Sequence, residues 1–252
     1  MAVTVTVSIL VAAVLGACSA TDPSPKEAAV ASYALDLSTV TTQTSFNCFR
    51  INKYSVVFLR AYAGAFDGTV VQNVRNANSA SLGTEVYMYP NPQSAMSGSQ
   101  QFQDMYGKLA ANFDVKAIWI QVTSPILWSA SVVNNTRFIN DIIAAARTNG
   151  VTVGIYTNAY DWQQITNNWN GAGIAYRYWN VLGAGALAET SSDFSDFHSF
   201  GPWNTAVVKQ FGQSEDICGA TVNRDVVAVS SNLASRTKLE LNAKRPVIGG
   251  YV

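Results

Sequence analysis

The chain has 252 residues, a formal net charge of zero, one histidine and three cysteines. The balanced charge gives no electrostatic basis for binding nucleic acid, and so few sulfur and imidazole ligands argue against a Cys/His zinc site. Apolar residues make up 48% of the chain, enough for a substantial core, and the length is typical of a single α/β barrel. Any acid–base chemistry would fall to the 16 carboxylates.

The first twenty residues are typical of a targeting segment. Residues 3–17 form an uncharged, mostly apolar run that is too short to span a bilayer, and small residues follow it. The pattern predicts a secretory signal peptide over residues 1–20, a polar linker over 21–32 and a secreted, extracellular protein. Two alternatives stay open: a buried strand of the mature fold, and lipid anchoring at Cys18, because residues 15–18 resemble a bacterial lipobox.

Loss of Cys18 would leave Cys48 and Cys218 as an even pair. In an oxidising compartment they can form one disulfide that closes a loop of about 170 residues; two buried thiols are the alternative. Asn134 begins a glycosylation sequon, but it lies where a helix should start, so helix capping is the plainer role.

In chain order, the body alternates between strands and helices. Five short apolar runs are typical of strands buried on both faces: Tyr33–Leu37, Ser55–Tyr62, Thr84–Tyr89, Lys116–Val122 and Val151–Thr157. Helical segments separate them, among them a polar surface helix near Ser94–Phe113 and an amphipathic helix over Asn134–Asn149.

After Thr157 the pattern changes to a short helix within Asp161–Trp169, followed by three further strands: Ala175–Leu182, Thr205–Phe211 and Thr221–Val227. Five β/α units and three strands predict an α/β fold, a TIM-like barrel in a single domain over residues 33–229. Residues 230–252 are predicted to be a C-terminal tail, to which we assign no function.

Two apparent motifs do not point to chemistry. Residues 183–188 match the loose G-x-G-x-x-A pattern, but they do not open the first βαβ unit and no helix follows, which favours a Gly/Ala loop. The single histidine, His198, lies in a Phe/Ser/Asp segment that is typical of a loop.

Short motifs at the strand ends carry a resemblance to a known family. In chain order they are YALDLS at 33–38, FLRAY at 58–62 with Asp67-Gly68, VYMYP at 86–90, GIYTN at 154–158 with Trp162, KQF at 209–211, and Cys218-Gly219. From about Tyr33 to Val229 the chain resembles the family-25 glycoside hydrolases, the Chalaropsis-type lysozymes, and most of all their secreted nematode and protist branch. The resemblance implies a barrel of five β/α units plus three strands, and cleavage of peptidoglycan between N-acetylmuramic acid and N-acetylglucosamine. We expect no cofactor, no metal and no membrane span, and a monomer.

Glycoside hydrolysis requires a pair of carboxyl groups, and barrels present such groups at the carboxyl ends of their strands. Asp36 lies at such an end, as the family's first-strand aspartate does; a capping role is the alternative. The family's Asp-x-Glu motif falls on Gln121 and Thr123, neither of which is a carboxylic acid. The family's last-strand aspartate falls on Asn223, and Asp225 lies two residues later on the same strand face.

Two other carboxylates, Asp67 and Asp161, follow strand ends, whereas Glu85 lies near a strand start. We predict the catalytic pair to be Asp36 with Asp225, or otherwise Asp36 with Asp161. Asp67 and six aromatic residues near strand ends are predicted to bind sugar, with barrel packing as the alternative role of each ring: Tyr62, Tyr87, Tyr89, Tyr156, Trp162 and Trp179.

Three functional hypotheses result. The first is a secreted lysozyme-like glycoside hydrolase that acts on bacterial peptidoglycan in antibacterial defence or digestion. The second is a weakened or inactive peptidoglycan-binding protein on the same barrel, because Gln121 and Thr123 replace the acid motif. The third is a bacterial surface lipoprotein of unrelated function, which the N-terminal sequence of the mature protein would distinguish from the other two.

Overall fold

The computed structural model describes residue 1 and residues 31–171, 174–228 and 245–250. The predicted signal peptide after its first residue, nearly all of the predicted linker, Cys18 and most of the predicted tail lie outside the described residues.

The described residues form ten strands: β1 Ala31–Leu37, β2 Tyr54–Ala63, β3 Gly83–Tyr89, β4 Asp114–Val115, β5 Ala117–Gln121, β6 Thr152–Tyr156, β7 Ala175–Trp179, β8 Val208–Ile217, β9 Ala220–Ala228 and β10 Val247–Ile248. Eight of them close into a barrel in the order β1-β2-β3-β5-β6-β7-β8-β9, and the short strands β4 and β10 pair with each other outside it. Neighbouring barrel strands are parallel from β1 to β8, and β9 pairs antiparallel with both β8 and β1. The predicted barrel of five β/α units and three further strands is confirmed.

Five helices follow the first five barrel strands: α1 Gln43–Ile51, α2 Thr69–Ser79, α3 Gly98–Ala110, α4 Val132–Thr148 and α5 Ala159–Thr166. Side chains of Thr42, Ser97, Ser131 and Asn158 cap four of them by accepting a backbone N–H of the first turn. Asn134 is exposed in the first turn of α4, whose cap is Ser131, so the capping role we gave to Asn134 was wrong.

Alternation along the strands produces two apolar layers. Inside the barrel, Phe58 and Trp119 pack edge to face, and a Cβ at Gly154 would lie 2.5 Å from the Trp119 ring, so only glycine fits beside it. The larger layer lies between the barrel and the helices. Helix α3, predicted to be a polar surface helix, buries Phe102 and Met105 there, because its apolar residues share one face.

A loop that contains Phe197, Phe200 and Trp203, here called the aromatic loop, packs beside β7 where the earlier strands have a helix. Tyr176 of β7 stacks on Trp203, with ring centroids 4.6 Å apart, and Trp203 lies 4.8 Å from Trp162 of α5. Phe197 and Phe200 pack against Tyr176 from the same loop. Strand β7 is shorter than predicted, because it ends at Trp179. Strand β8 continues past its predicted end at Phe211, and β9 begins before its predicted start at Thr221, so that the two strands form a hairpin.

Two long-range connections tie the chain together. The predicted disulfide between Cys48 of α1 and Cys218 of the β8–β9 hairpin is confirmed, with a Cα–Cα distance of 6.0 Å. Within the predicted tail, β10 pairs with β4, Ile248 is fully buried, and Arg245 donates to the carbonyl of Ala110. Residues 183–188 form the expected loop, with one 3₁₀ turn, and His198 is exposed in a loop.

Candidate active site

A polar cleft of about 360 Å³ opens at the carboxyl ends of the barrel strands. Seven of the eight barrel strands, or the turns that follow them, contribute to its lining: Asp36, Tyr87, Gln121, Thr123, Ser124, Tyr156, Asp161, Trp179, Gln210, Gln213 and Asn223. A larger cavity, of about 500 Å³, lies beside β4 and Arg245, but Asp114 is its one acidic lining residue and it pairs with Lys116. The polar cleft combines two carboxyl groups, Asp36 and Asp161, with aromatic and amide side chains.

Asp36 lies on the floor of the cleft in an ion pair with a buried arginine. The Arg177 Nη2 atom lies 2.5 Å from Asp36 Oδ2, and the guanidinium also donates through Nε and Nη2 to both carboxylate oxygens of Asp225, at 3.1 and 3.2 Å. Burial lowers the pKa of Arg177, but Asp225 and Asp36 more than offset this and raise it. Burial raises the pKa of Asp225, and the neighbouring Asp36 adds to that rise while Arg177 opposes it.

Asp161 enters the cleft from the start of α5. The N-cap Asn158 accepts the Asp161 N–H at 2.7 Å, which fixes the first turn of the helix, and Asp161 Oδ2 accepts the Ser124 N–H at 3.3 Å. The side chain is therefore held directly beside the turn that follows Thr123. Burial raises the pKa of Asp161, against the Ser124 hydrogen bond, which lowers it.

Gln121 and Thr123, the positions to which the resemblance assigns the family's Asp-x-Glu motif, line the cleft as neutral groups. Gln121 Nε2 donates to Thr123 Oγ1 at 3.2 Å, and the Trp128 indole donates to the Thr123 carbonyl at 3.0 Å. Asn223 also lines the cleft and accepts the Ser214 N–H at 3.1 Å. These three positions therefore offer hydrogen-bonding groups to the cleft and no carboxyl group.

Three of the six predicted aromatic residues line the cleft: Tyr87, Tyr156 and Trp179. The Tyr156 hydroxyl donates to Gln210 Oε1 at 2.7 Å, and burial raises the pKa of Tyr156. Burial also raises the pKa of Tyr87 well above its ordinary value, with a further rise from its interaction with Asp36. Both tyrosines are therefore neutral hydrogen-bonding groups at the cleft.

Several predicted site residues lie outside the cleft lining. Tyr62 is buried and donates to the Gly64 carbonyl, and Trp162 is buried against Trp203, because both rings pack into the layer outside the barrel. Asp67 pairs with Arg60 and accepts the Thr69 N–H at the start of α2. Tyr89 is half-buried at the end of β3.

Asp225 is fully buried beneath Arg177, outside the lining of the cleft, while Glu85 lies inside the barrel and accepts from the Trp119 indole at 2.9 Å.

Sequence reasoning missed Arg177, along with Ser124, Gln210 and Gln213 of the cleft lining. A signal for Arg177 was available, since it is a charged residue inside an apolar strand and shares a strand face with Trp179. A cation buried there has to be paired with carboxylates, and Asp36 of β1 and Asp225 of β9 reach it from barrel strands that are not adjacent to β7.

No helix in the described ranges is long and apolar enough to cross a membrane. Nor does this part of the chain bring together three or more His, Cys, Asp or Glu side chains that could hold a metal ion.

A closed α/β barrel with carboxyl groups in a polar cleft at its strand ends is an architecture that barrel glycoside hydrolases share. Residues 27–211 match the family model described as lysozyme-like protein 1. Lysozyme-like protein 1 of Caenorhabditis elegans is 44% identical, over 87% of this chain and 79% of that protein. A probable GH family 25 lysozyme 5 of Dictyostelium discoideum is 30% identical, over 76% of this chain and 88% of that protein. The chain belongs to the family-25 (GH25) lysozymes, a family of glycoside hydrolases.

Solved structures share the fold at much lower identity. A bacterial lysozyme from Streptomyces coelicolor superimposes with a TM-score of 0.64 at 19% identity, over 84% of this chain and 97% of that one. A family GH25 lysozyme from Aspergillus fumigatus gives 0.62 at 14% identity, over 82% and 98%.

Proposed function

We propose that this protein is a lysozyme that cleaves peptidoglycan glycan strands between N-acetylmuramic acid and N-acetylglucosamine, with Asp161 and Asp36 as its pair of carboxyl groups. Membership of the family supports the reaction class and the substrate. The observation that carries the residue assignment is the hydrogen bond from the Ser124 N–H to Asp161. It holds a carboxyl group next to Thr123, the position at which the family's usual proton donor is missing.

Asp161 is the proton donor in this assignment. A general acid of a glycosidase has to be protonated at the start of the reaction, and burial of the group raises its pKa toward the working range. Burial raises the pKa of Asp161, its side chain lines the cleft, and the one backbone N–H that it accepts does not reverse the shift.

Asp36 is the ionised partner. Its Oδ2 atom is paired with Arg177, a cation at any accessible pH, and Asp36 lines the same cleft as Asp161. A carboxylate in this position can stabilise the oxocarbenium-like transition state or direct the group that attacks it. The two acids thus occupy environments suited to opposite protonation states, which is the usual way in which such pairs divide their roles.

The remainder of the cleft suits a sugar chain. Trp179 offers a half-exposed ring that can stack on a pyranose face, while Gln121, Gln213 and Asn223 offer amide groups to hydroxyl and N-acetyl substituents. Among the described residues, no lysine or arginine lines the cleft. We expect the glycan to be bound by aromatic and hydrogen-bonding contacts.

The proposal extends to where the protein works. A signal peptide over residues 1–20, with a linker after it, would deliver the chain to an oxidising compartment, where the disulfide of Cys48 and Cys218 is stable. A secreted lysozyme would serve antibacterial defence or digestion.

A binding protein that holds peptidoglycan without cutting it is the second candidate. The hydrogen bond between Gln121 and Thr123 favours it, because these two neutral side chains occupy the family's acid positions.

The deciding experiment incubates purified protein with peptidoglycan and measures new reducing ends together with pull-down. The variants are Asp36→Asn and Asp161→Asn, and Asp104→Asn is the matched control, because Asp104 lies on α3 paired with Lys108. We expect wild type and control to release reducing ends, and Asp161→Asn to lose about 10²–10⁴-fold in rate, the usual contribution of a general acid, while still binding. Binding by wild type with no reducing ends above the Asp36→Asn background would reject hydrolysis and favour the second candidate.

A further inference from the structure

Arg177 of β7 is a cation enclosed by the barrel. Its side chain has no exposed surface, and its guanidinium lies 4.5 Å from the Phe58 ring centroid and 4.2 Å from that of Tyr156. A buried charge is tolerated only when it is paired and hydrogen-bonded, so the partners of Arg177 are fixed by the fold.

Those partners are two carboxylates with different exposure to the cleft. One face of the guanidinium fork donates to Asp225, which is fully buried and outside the cleft lining. The Arg177 Nη2 atom, which donates to Asp225, also lies 2.5 Å from Asp36 Oδ2 and 3.4 Å from Gln210 Oε1. Asp36 lines the cleft. One nitrogen thus connects the buried carboxylate to the one on the cleft floor.

We propose that Arg177 is a positioning residue that holds the Asp36 carboxyl group in a fixed orientation at the cleft, and that Asp225 anchors Arg177 from the buried side without touching the substrate. The inference rests on the proposed function, because it assigns Asp36 a role in hydrolysis. It also decides between the two carboxylate pairs that the sequence left open: Asp225 supports the site, and Asp161 is the partner of Asp36.

Loss of Arg177 and loss of the Asp225 carboxyl group should both act on Asp36 through its position. Without the guanidinium, Asp36 loses the hydrogen bond that fixes its Oδ2 atom. With an amide at position 225, Arg177 loses one of the two acceptors that hold its Nε and Nη2 atoms, and so it holds Asp36 less firmly.

The test is the separate measurement of kcat and KM on peptidoglycan for wild type, Arg177→Gln, Arg177→Lys and Asp225→Asn. We expect Arg177→Gln to lower kcat about 10²-fold with little change in KM, because a displaced catalytic group impairs the chemical step more than binding. Arg177→Lys should recover only part of that loss, since it restores the charge without the planar fork. Asp225→Asn should lower kcat by less than Arg177→Gln and leave KM unchanged. A merely structural role would lower the amount of folded protein without lowering kcat per folded molecule. An unchanged kcat in folded Arg177→Gln or Asp225→Asn would overturn the inference.

Arg177 variants can fail to fold, since they leave buried carboxylates without a cation. Asp225→Asn keeps the shape of the side chain, so its kcat tests the inference by itself.

The carboxyl-carbon NMR signal of Asp36, compared between wild type and Asp225→Asn at one pH, provides a readout that needs no turnover. If wild type releases no reducing ends, the proposed function fails, and a changed Asp36 signal in Asp225→Asn still supports the positioning role. An unchanged signal rejects it.

Discussion

Trp179 and Tyr156 meet edge to face, with ring centroids 5.2 Å apart, and both line the polar cleft. Tyr156 is held in place by its hydrogen bond to Gln210, so the indole of Trp179 rests on a fixed neighbour. Trp179 is half-buried, which leaves part of its ring available to a ligand.

We therefore expect Trp179→Ala to weaken glycan binding about two- to tenfold, since the loss of one aromatic contact of this kind is worth about 0.5–1.5 kcal/mol. Pull-down affinity and KM on peptidoglycan measure the effect, and thermal unfolding should change little. Trp162→Ala is the contrast, because Trp162 is buried outside the barrel: it should lose about 3–5 kcal/mol of stability. Equal effects of the two variants on KM would contradict a binding role specific to Trp179.

Glu215 predicts a pH-dependent stability. Burial, followed by the neighbouring carboxylate of Glu189, raises the pKa of Glu215 from 4.5 to about 7, while Arg224 opposes the rise. The folded protein therefore holds a proton that the unfolded chain has released, and stability falls as pH rises from about 4.5 to 7.

Glu215→Gln removes this titration. The difference in unfolding free energy between variant and wild type should grow in favour of the variant across that window, with a slope of at most about 1.4 kcal/mol per pH unit. Denaturant unfolding at pH 5, 6, 7 and 8 measures it, with Asp104→Asn as the control. A difference that stays constant with pH would show that Glu215 is not the titrating group.

The disulfide predicts a large redox effect on stability. Cys48 and Cys218 are 170 residues apart in sequence, and in the chain-entropy model closure of such a loop is worth up to about 5 kcal/mol. The double variant Cys48→Ala/Cys218→Ala should unfold at much lower denaturant concentration than the oxidised wild type. Wild type in excess reductant should approach the variant, and a reductant effect on the double variant itself would point to a different cause.

Ile248 predicts that the C-terminal strand stabilises the barrel. It is fully buried, and the Thr84 hydroxyl donates to the carbonyl of its neighbour Val247 at 2.9 Å. Ile248→Ala should cost about 2–5 kcal/mol of unfolding free energy. Leu187→Ala is the control, since Leu187 is fully exposed, and similar losses in both variants would mean that β10 does not pack as described.

Much of the fold was readable because the barrel strands are short apolar runs buried on both faces, and because helix α4 repeats its apolar residues on one face. The limits of the strands were harder to predict. The hairpin part of β8, after Phe211, is polar, so composition alone suggests a loop, and only its pairing with β9 extends it to Ile217. The docking of β10 depends on contacts with β4 that are more than a hundred residues away.

Strand ends were the signal for the candidate site in the sequence, and Asp36, Gln121 and Asn223 line the cleft. Which carboxylates share that cleft depends on the direction of each side chain and on buried ion pairs. Neither can be predicted from the residues that are adjacent in sequence. Asp225 lies on the predicted face of β9 but is drawn beneath Arg177 by their ion pair, whereas Asp161 is turned into the cleft by the cap of α5.

The aromatic loop beside β7 has a practical consequence for spectroscopy. Three of the six tryptophans, Trp162, Trp169 and Trp203, are packed together there, with Trp162 4.8 Å from Trp203 and 6.2 Å from Trp169. Intrinsic fluorescence during unfolding will therefore be weighted toward the loss of this one side of the barrel. Trp179, by contrast, lies alone in the cleft lining among the tryptophans, so quenching by an added oligosaccharide would report on occupancy of the site.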